Sequence, residues 1–310
     1  MREQNPTQDM REDRPSSTAT LIAAATVFLD GDPRVRGLVP AGAATLCRRF
    51  ISSFPVPTRA VIGALCHPAL RWLARLAERS TVPGLMLHFM LRKRMIESAV
   101  TEAISRGASQ VVVLGAGFDT LALRLHRSHP AVTFVEIDHP ATQRFKRETV
   151  EADQAGGRNL VFQPADLTRQ PLEEALANVP VYRRGASSVF VIEGVLMYLT
   201  QVEVSALFRL FGAQGGNGSR VVFTVMEPMA GGRIDFHNAT PLVKRLLHLW
   251  REPFKYGIAM AELPAFLHRF GFVPNIVANA DTLRGRYLAD IAGDPPVTAR
   301  GELVCIADKR

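Results

Sequence analysis

The chain has 310 residues, 47% hydrophobic and 21% charged, with a mean hydropathy of +0.07, which describes an ordinary soluble globule able to bury a sizeable core. Its net charge of +8 permits attraction to anions, but the arginines are scattered, without the basic block or interleaved aromatics of many nucleic-acid binders. Cys47, Cys66 and Cys305 are too few and too far apart for a disulfide framework or a zinc knuckle, which points to a reducing compartment and to no metal.

Residues 1–17 mix acids, bases and prolines and read as a disordered tail. The apolar run "TLIAAATVFL" that follows lacks a basic start and a cleavage site, so a cytoplasmic protein is expected. In "RAVIGALCHPALRWLARLAE", His67, Pro68, Arg71 and Arg75 break the apolar run, so no stable membrane insertion is expected. Residues 18–107 carry helical periodicity and read as a helical cap. From residue 108 the period changes. "QVVVLG", "VTFVEID", "NLVFQPAD", "SSVFVIEG" and "RVVFTVME" read as strands alternating with helices, which implies an α/β, mostly parallel, doubly wound sheet. "GFVPNIVA" and "ELVCIAD" add a last pair, expected as an antiparallel edge hairpin with a short link. An insertion over about residues 228–257 sits after a strand end and reads as a lid.

The stretch "VVVLGAGFDTLALRL" is a strand, a glycine turn and a helix. Gly115, Ala116 and Gly117 supply two glycines of a dinucleotide fingerprint, but Thr120 stands in place of the third and Asp119 intrudes. A carboxylate there opposes pyrophosphate at the helix N-terminus and suits a ligand that is not anionic. Asp119 also has a plainer role as a helix cap. Acids recur at the other strand mouths: Asp138 in "VEIDHP", Asp166 in "PADL" and Glu193 in "VIEG". Asp138 lies 21 residues after Gly117, near the spacing of an acid that grips ribose hydroxyls, with Glu136 as its competitor on the same face. Asp166 could take an exocyclic amine. S-adenosylmethionine, with a sulfonium, an ammonium, a ribose and no phosphate, fits such a site. Its carboxylate needs a cation, and Arg92 falls on the inward stripe with Met95 and Ile96, unless it pairs with a protein acid instead.

The motifs "RKRMIESAV", "QVVVLGAGFDTLALRL", "FVEIDHP", "ADL", "IEGVLMYL", "EPFKYGI" and "ELPAFLHRFGF" resemble the leucine carboxyl methyltransferase family. The bacterial branch of that family contains O-methyltransferases of polyketide and other natural-product pathways. The resemblance implies a class I methyltransferase sheet with a cap and lid. It assigns Arg92 to the methionine carboxylate and Gly115 and Gly117 to the cofactor turn. Asp138 goes to the ribose, Asp166 with Leu167 to the adenine, and Glu193 to the ammonium region. His88 and Tyr198 are the polar residues expected to line the acceptor site. The apolar residues of the cap (among them Phe50, Leu65, Trp72 and Phe89) and of the lid (Phe236, Leu246, Trp250, Phe254, Tyr256) point to a hydrophobic small-molecule acceptor, with the default for the cap being core between helices. A protein carboxyl methyltransferase, a nicotinamide oxidoreductase and a non-catalytic cofactor-binding regulator are the rival readings. No nucleic-acid partner is expected.

Overall fold

Runs of Val, Ile, Leu and Phe form seven strands: β1 (Gln110–Leu114), β2 (Thr133–Asp138), β3 (Leu160–Pro164), β4 (Ser188–Ile192), β5 (Arg220–Met226), β6 (Phe272–Ala278) and β7 (Glu302–Lys309). In this computed structural model, which describes residues 16–152, 156–167, 170–241, 254–291 and 296–310, they make one sheet in the order β3-β2-β1-β4-β5-β7-β6. The pairs β3–β2, β2–β1, β1–β4 and β4–β5 are parallel, and β7 runs antiparallel to both β5 and β6. Strand order reverses between β1 and β4, which opens a crevice at their carboxyl ends.

Side-chain alternation sends each strand into two cores. Val111 and Val113 of β1 pack with Phe134, Ala23, Phe50, Met90 and Val100 on the face covered by α1 (Ser17–Asp30), α2 (Ala43–Ser52) and α5 (Leu85–Ser105). Val112 and Leu114 pack with Phe190, Phe208 and Phe223 on the face covered by α9 (Gln201–Gln214) and α10 (Leu263–His268). The remaining α-helices among the described residues are α3 (Val56–Cys66), α4 (Arg71–Ser80), α6 (Leu121–Leu125), α7 (Pro140–Ala152), α8 (Leu172–Ala177) and α11 (Ala280–Tyr287). Among the described residues no strand precedes β1, and the helices of residues 18–107 share a hydrophobic cluster with the sheet.

Helix α1 begins at Ser17, where the Ser16 hydroxyl accepts the Ala19 N–H and caps it; residues 1–15, most of the expected tail, lie outside the described residues. One expectation needs correction. The final strands do pair antiparallel, but their link is long and holds α11, whose buried Leu283 packs into the same cluster as Val100 of α5. Of the expected lid, residues 242–253, with Leu246 and Trp250, fall outside the described residues.

Candidate functional site

β1 runs into Gly115 and Gly117, at φ of 61° and 47°, a left-handed conformation that glycine adopts without a Cβ clash. A Cβ at Gly115 would lie 2.4 Å from Val195 Cγ2, and one at Gly117 would lie 3.0 Å from Ala19 Cβ of α1. Bare backbone thus floors a cavity of about 480 Å3 at the crevice, with α1 on one side and the β4 mouth on the other. At the end of β2 the Asp138 carboxylate accepts the N–H groups of Gly117 and His139, and burial pushes its pKa up.

The cavity's other wall is a chain of ion pairs. Arg92 and Lys93, consecutive on α5, both line it. Arg92 Nε donates to Glu193 Oε1 at 2.8 Å, and its Nη1 donates to Glu302 Oε2 of β7 at 2.8 Å. The Phe89 ring centroid lies 4.7 Å from Arg92 Cζ. Lys93 Nζ sits 3.1 Å from both Asp119 Oδ1 and Glu193 Oε2. Asp119 Oδ1 also accepts the N–H of Thr120 at 2.6 Å and of Leu121 at 3.3 Å, so it caps α6. Burial opposes the charge on Asp119, but Lys93, Lys146 and Arg124 outweigh it and hold the carboxyl at about 2. Burial likewise opposes Glu302, and Arg92 with His88 brings it down to about 2. Burial works against the Arg92 charge too, yet Glu302 and Glu193 raise its pKa above the ordinary guanidinium value. Of the side chains that line the cavity, three are carboxylates (Asp119, Asp138 and Glu193) and two are cations (Arg92 and Lys93), while Glu302 lies buried behind Arg92, so the lining carries one more acid than base.

The leucine carboxyl methyltransferase model matches residues 56–212. The chain belongs to the leucine carboxyl methyltransferase family. It is 29% identical over 210 residues to YktD of Bacillus subtilis strain 168, covering 66% of this chain and 64% of that protein. It is 33% identical over 150 residues to a protein of Mycobacteroides abscessus, covering 48% and 46%. Both are described as S-adenosyl-L-methionine-dependent methyltransferases, and the chain spans about half to two thirds of the length of such relatives. A solved structure from Thermobifida fusca, described as a methyltransferase, shares the fold at a TM-score of 0.52 and 20% identity, covering 79% of this chain and 89% of that one.

Of the residues that the sequence points to, Arg92, Gly115, Ala116, Gly117, Asp119, Asp138, Glu193 and Tyr198 all line the one cavity. Asp166 and Leu167 do not. Leu167 lines a neighbouring apolar cavity of about 260 Å3, which shares Leu114 and Val195 with the first. His88 is fully buried behind Arg92, its Nε2 2.7 Å from Glu302 Oε2, and does not line the cavity. Arg92 is on the inward stripe, but protein acids occupy it. Glu136 points into the protein, 2.6 Å from Lys146 Nζ, and burial pushes its carboxyl up to about 7 despite that lysine. Tyr198 meets Phe254 edge-on at 5.6 Å, and Phe254 meets Phe236 at 6.2 Å. Helical phase alone points to Arg92; the structure adds its neighbour Lys93, and the second anchor Glu302 comes from a strand 210 residues away. Adjacency to Arg92 was the one available signal for Lys93, and nothing local marks Glu302. Among the described residues no cluster of His, Cys, Asp or Glu could hold a metal ion.

Proposed function

We propose that this protein is an S-adenosylmethionine-dependent methyltransferase that methylates a hydroxyl or carboxylate oxygen of a hydrophobic small molecule. The carrying observation is the surplus of carboxylates around a bare glycine turn. A pyrophosphate would face Asp119 and Asp138 there, whereas a cationic nucleoside with an amino-acid end suits them. The donor set fits this cofactor. Each Asp138 oxygen accepts one N–H and keeps a lone pair for a ribose hydroxyl. Glu193 offers a carboxylate to the ammonium, while Lys93, and Arg92 through the Nη2 that bonds neither Glu193 nor Glu302, offer cations to the carboxylate. Leu167, one side chain away behind Val195, with Asp166 beside it, belongs to the adenine end of this proposal.

When bound, S-adenosylmethionine supplies an electrophilic methyl group. What the chain contributes is alignment and exclusion of water, which by themselves can lower a barrier by roughly 7–11 kcal/mol. The ion-pair chain is preorganised: Arg92 holds Glu193 from one side and Lys93 holds it from the other. The aromatic edge of Tyr198, Phe236 and Phe254 supports an apolar acceptor. A carboxylate acceptor needs no general base, and a hydroxyl acceptor would use Tyr198, the hydroxyl-bearing side chain beside that edge.

Calorimetric titration tests the cofactor: S-adenosylhomocysteine should bind and NAD should not. Incubation with methyl-labelled cofactor and small-molecule, protein and nucleic-acid fractions of a bacterial extract tests the acceptor. Label in the small-molecule fraction is expected; label chiefly in protein would overturn the small-molecule reading in favour of carboxyl methylation, the reaction in the family's name.

A further inference from the structure

The cap contains a helical hairpin that the cofactor site does not use. Neither α3 nor α4 has a single buried residue. On α4, Trp72, Leu73 and Leu76 are 60%, 37% and 54% exposed. Their spacing of three and four places them on one outward stripe, opposite the half-buried Ala74 and Glu78. Arg75 and Arg79, also four apart and exposed, border that stripe on one side, with Arg75 in an ion pair with Asp32. Val56 and Val61 of α3 are 62% and 59% exposed. The hairpin, residues 56–80, carries four arginines and one acid. That acid, Glu78, turns inward, its Oε1 accepting the Met86 N–H at 2.8 Å, and Arg71 and Arg75 turn towards Asp32 just beyond α1, which leaves Arg79 to carry the charge beside the stripe.

Isolated exposed apolar residues are ordinary, but a tryptophan and two leucines on one stripe of a basic helix are not. A basic border beside an apolar stripe with an amphipathic aromatic is the chemistry of a helix lying in a lipid headgroup layer. Arginines complement anionic headgroups, and their stems add to the apolar surface. Behind the hairpin lies a groove of about 280 Å3, lined by Leu21, Ile62, Leu65 and Phe89, which gives bilayer-dissolved hydrocarbon a place to enter the cap.

We propose that the α3–α4 hairpin docks this protein peripherally on an anionic bilayer, with Trp72, Leu73 and Leu76 in the headgroup layer and Arg79 against lipid phosphates. This docking is independent of the methyl-transfer reading. No helix among the described residues is long and apolar enough to cross a membrane, so the contact is interfacial.

Cosedimentation with phosphatidylcholine vesicles, with and without 30% phosphatidylglycerol, tests it. The full chain should bind the anionic vesicles and not the neutral ones, and added salt should release it. In a Trp250→Phe background the emission of Trp72 should shift to the blue on binding. Trp72→Ser/Leu76→Ser should weaken binding at least tenfold, and Arg79→Glu by on the order of fivefold or more. Circular dichroism and S-adenosylhomocysteine titration of each variant report whether the fold and the cofactor site survive, so failure of the cofactor reading is seen separately. The proposal is overturned by no binding to anionic vesicles or by unchanged binding of the Trp72/Leu76 variant. It is equally overturned if sedimentation velocity shows a dimer of this chain that the same variant dissociates.

Discussion

Asp138 and Glu136 sit two residues apart on one strand, yet burial and partners separate their roles. Asp138 lines the cavity and steadies Gly117, whereas Glu136 is fully buried against Lys146. Asp138→Ala should weaken S-adenosylhomocysteine binding by about 1–3 kcal/mol, the cost of leaving buried hydrogen-bonding groups unpaired. Glu136→Gln should change it far less, and the reverse order in calorimetric titration would show that the wrong acid grips the ribose. The same residues shape stability against pH. A carboxyl raised in the fold to about 7 disfavours folding as pH climbs from its ordinary value through 7. Asp119 and Glu302, both held at about 2, act in the opposite sense, and their contribution disappears as pH falls from about 4 towards 2. Denaturant unfolding should therefore show these groups favouring the fold most near pH 4.5–5. Glu136→Gln should flatten the loss between pH 5 and 8, which is on the order of 3 kcal/mol. An unchanged slope in that variant would assign the loss to other groups.

Helix α5 positions the site, and two features fix it. It starts at Gly84, at φ of 78°, where a Cβ would lie 2.2 Å from the Val297 carbonyl oxygen. No side chain fits there without moving backbone, so Gly84→Ala should cost about 2 kcal/mol or more, read as a lower midpoint in thermal unfolding. Midway along, Arg92 ties α5 to β7 through Glu302 and to the β4 mouth through Glu193. Glu302→Leu leaves Arg92 and His88 without their shared acceptor in the core. It should destabilise the fold by about 3–5 kcal/mol and weaken cofactor binding as well. A variant that lost stability with unchanged affinity would show that Glu193 and Lys93 hold the wall unaided.

At the scale of the molecule, a ligand that bridges α1, α5, the glycine turn and the β4 mouth joins the cap to the sheet. Binding to the folded state alone stabilises it by about 2.7 kcal/mol at a hundredfold excess over Kd. S-adenosylhomocysteine should accordingly raise the unfolding midpoint by several degrees, and NAD should leave it unchanged. A shift with NAD would move the site into the dinucleotide-binding class. The cap itself is divided: α1, α2 and α5 bury side chains in the sheet's core, while α3 and α4 reach it only with partly buried ones such as Ile62, Cys66 and Ala74. Trp72 shows the consequence, because an aromatic whose default place is the core between helices stands 60% exposed.

The strands, the change from helical to alternating period after residue 108, the two-glycine turn and the acids at the strand mouths were all legible in the sequence. Each is local: period, turn chemistry and the acid at a strand's end depend on a few neighbouring residues. Arg92 could be placed on an inward stripe for the same reason. Its partners could not, since Glu193 and Glu302 arrive from strands 101 and 210 residues further on, and only the strand order brings them together. His88 illustrates the limit most plainly. Helical phase puts it near the site, but whether it faces ligand or core depends on β7, which closes over it with Glu302. Long-range pairing decides which charges neutralise one another, and that in turn decides which remain to meet a ligand.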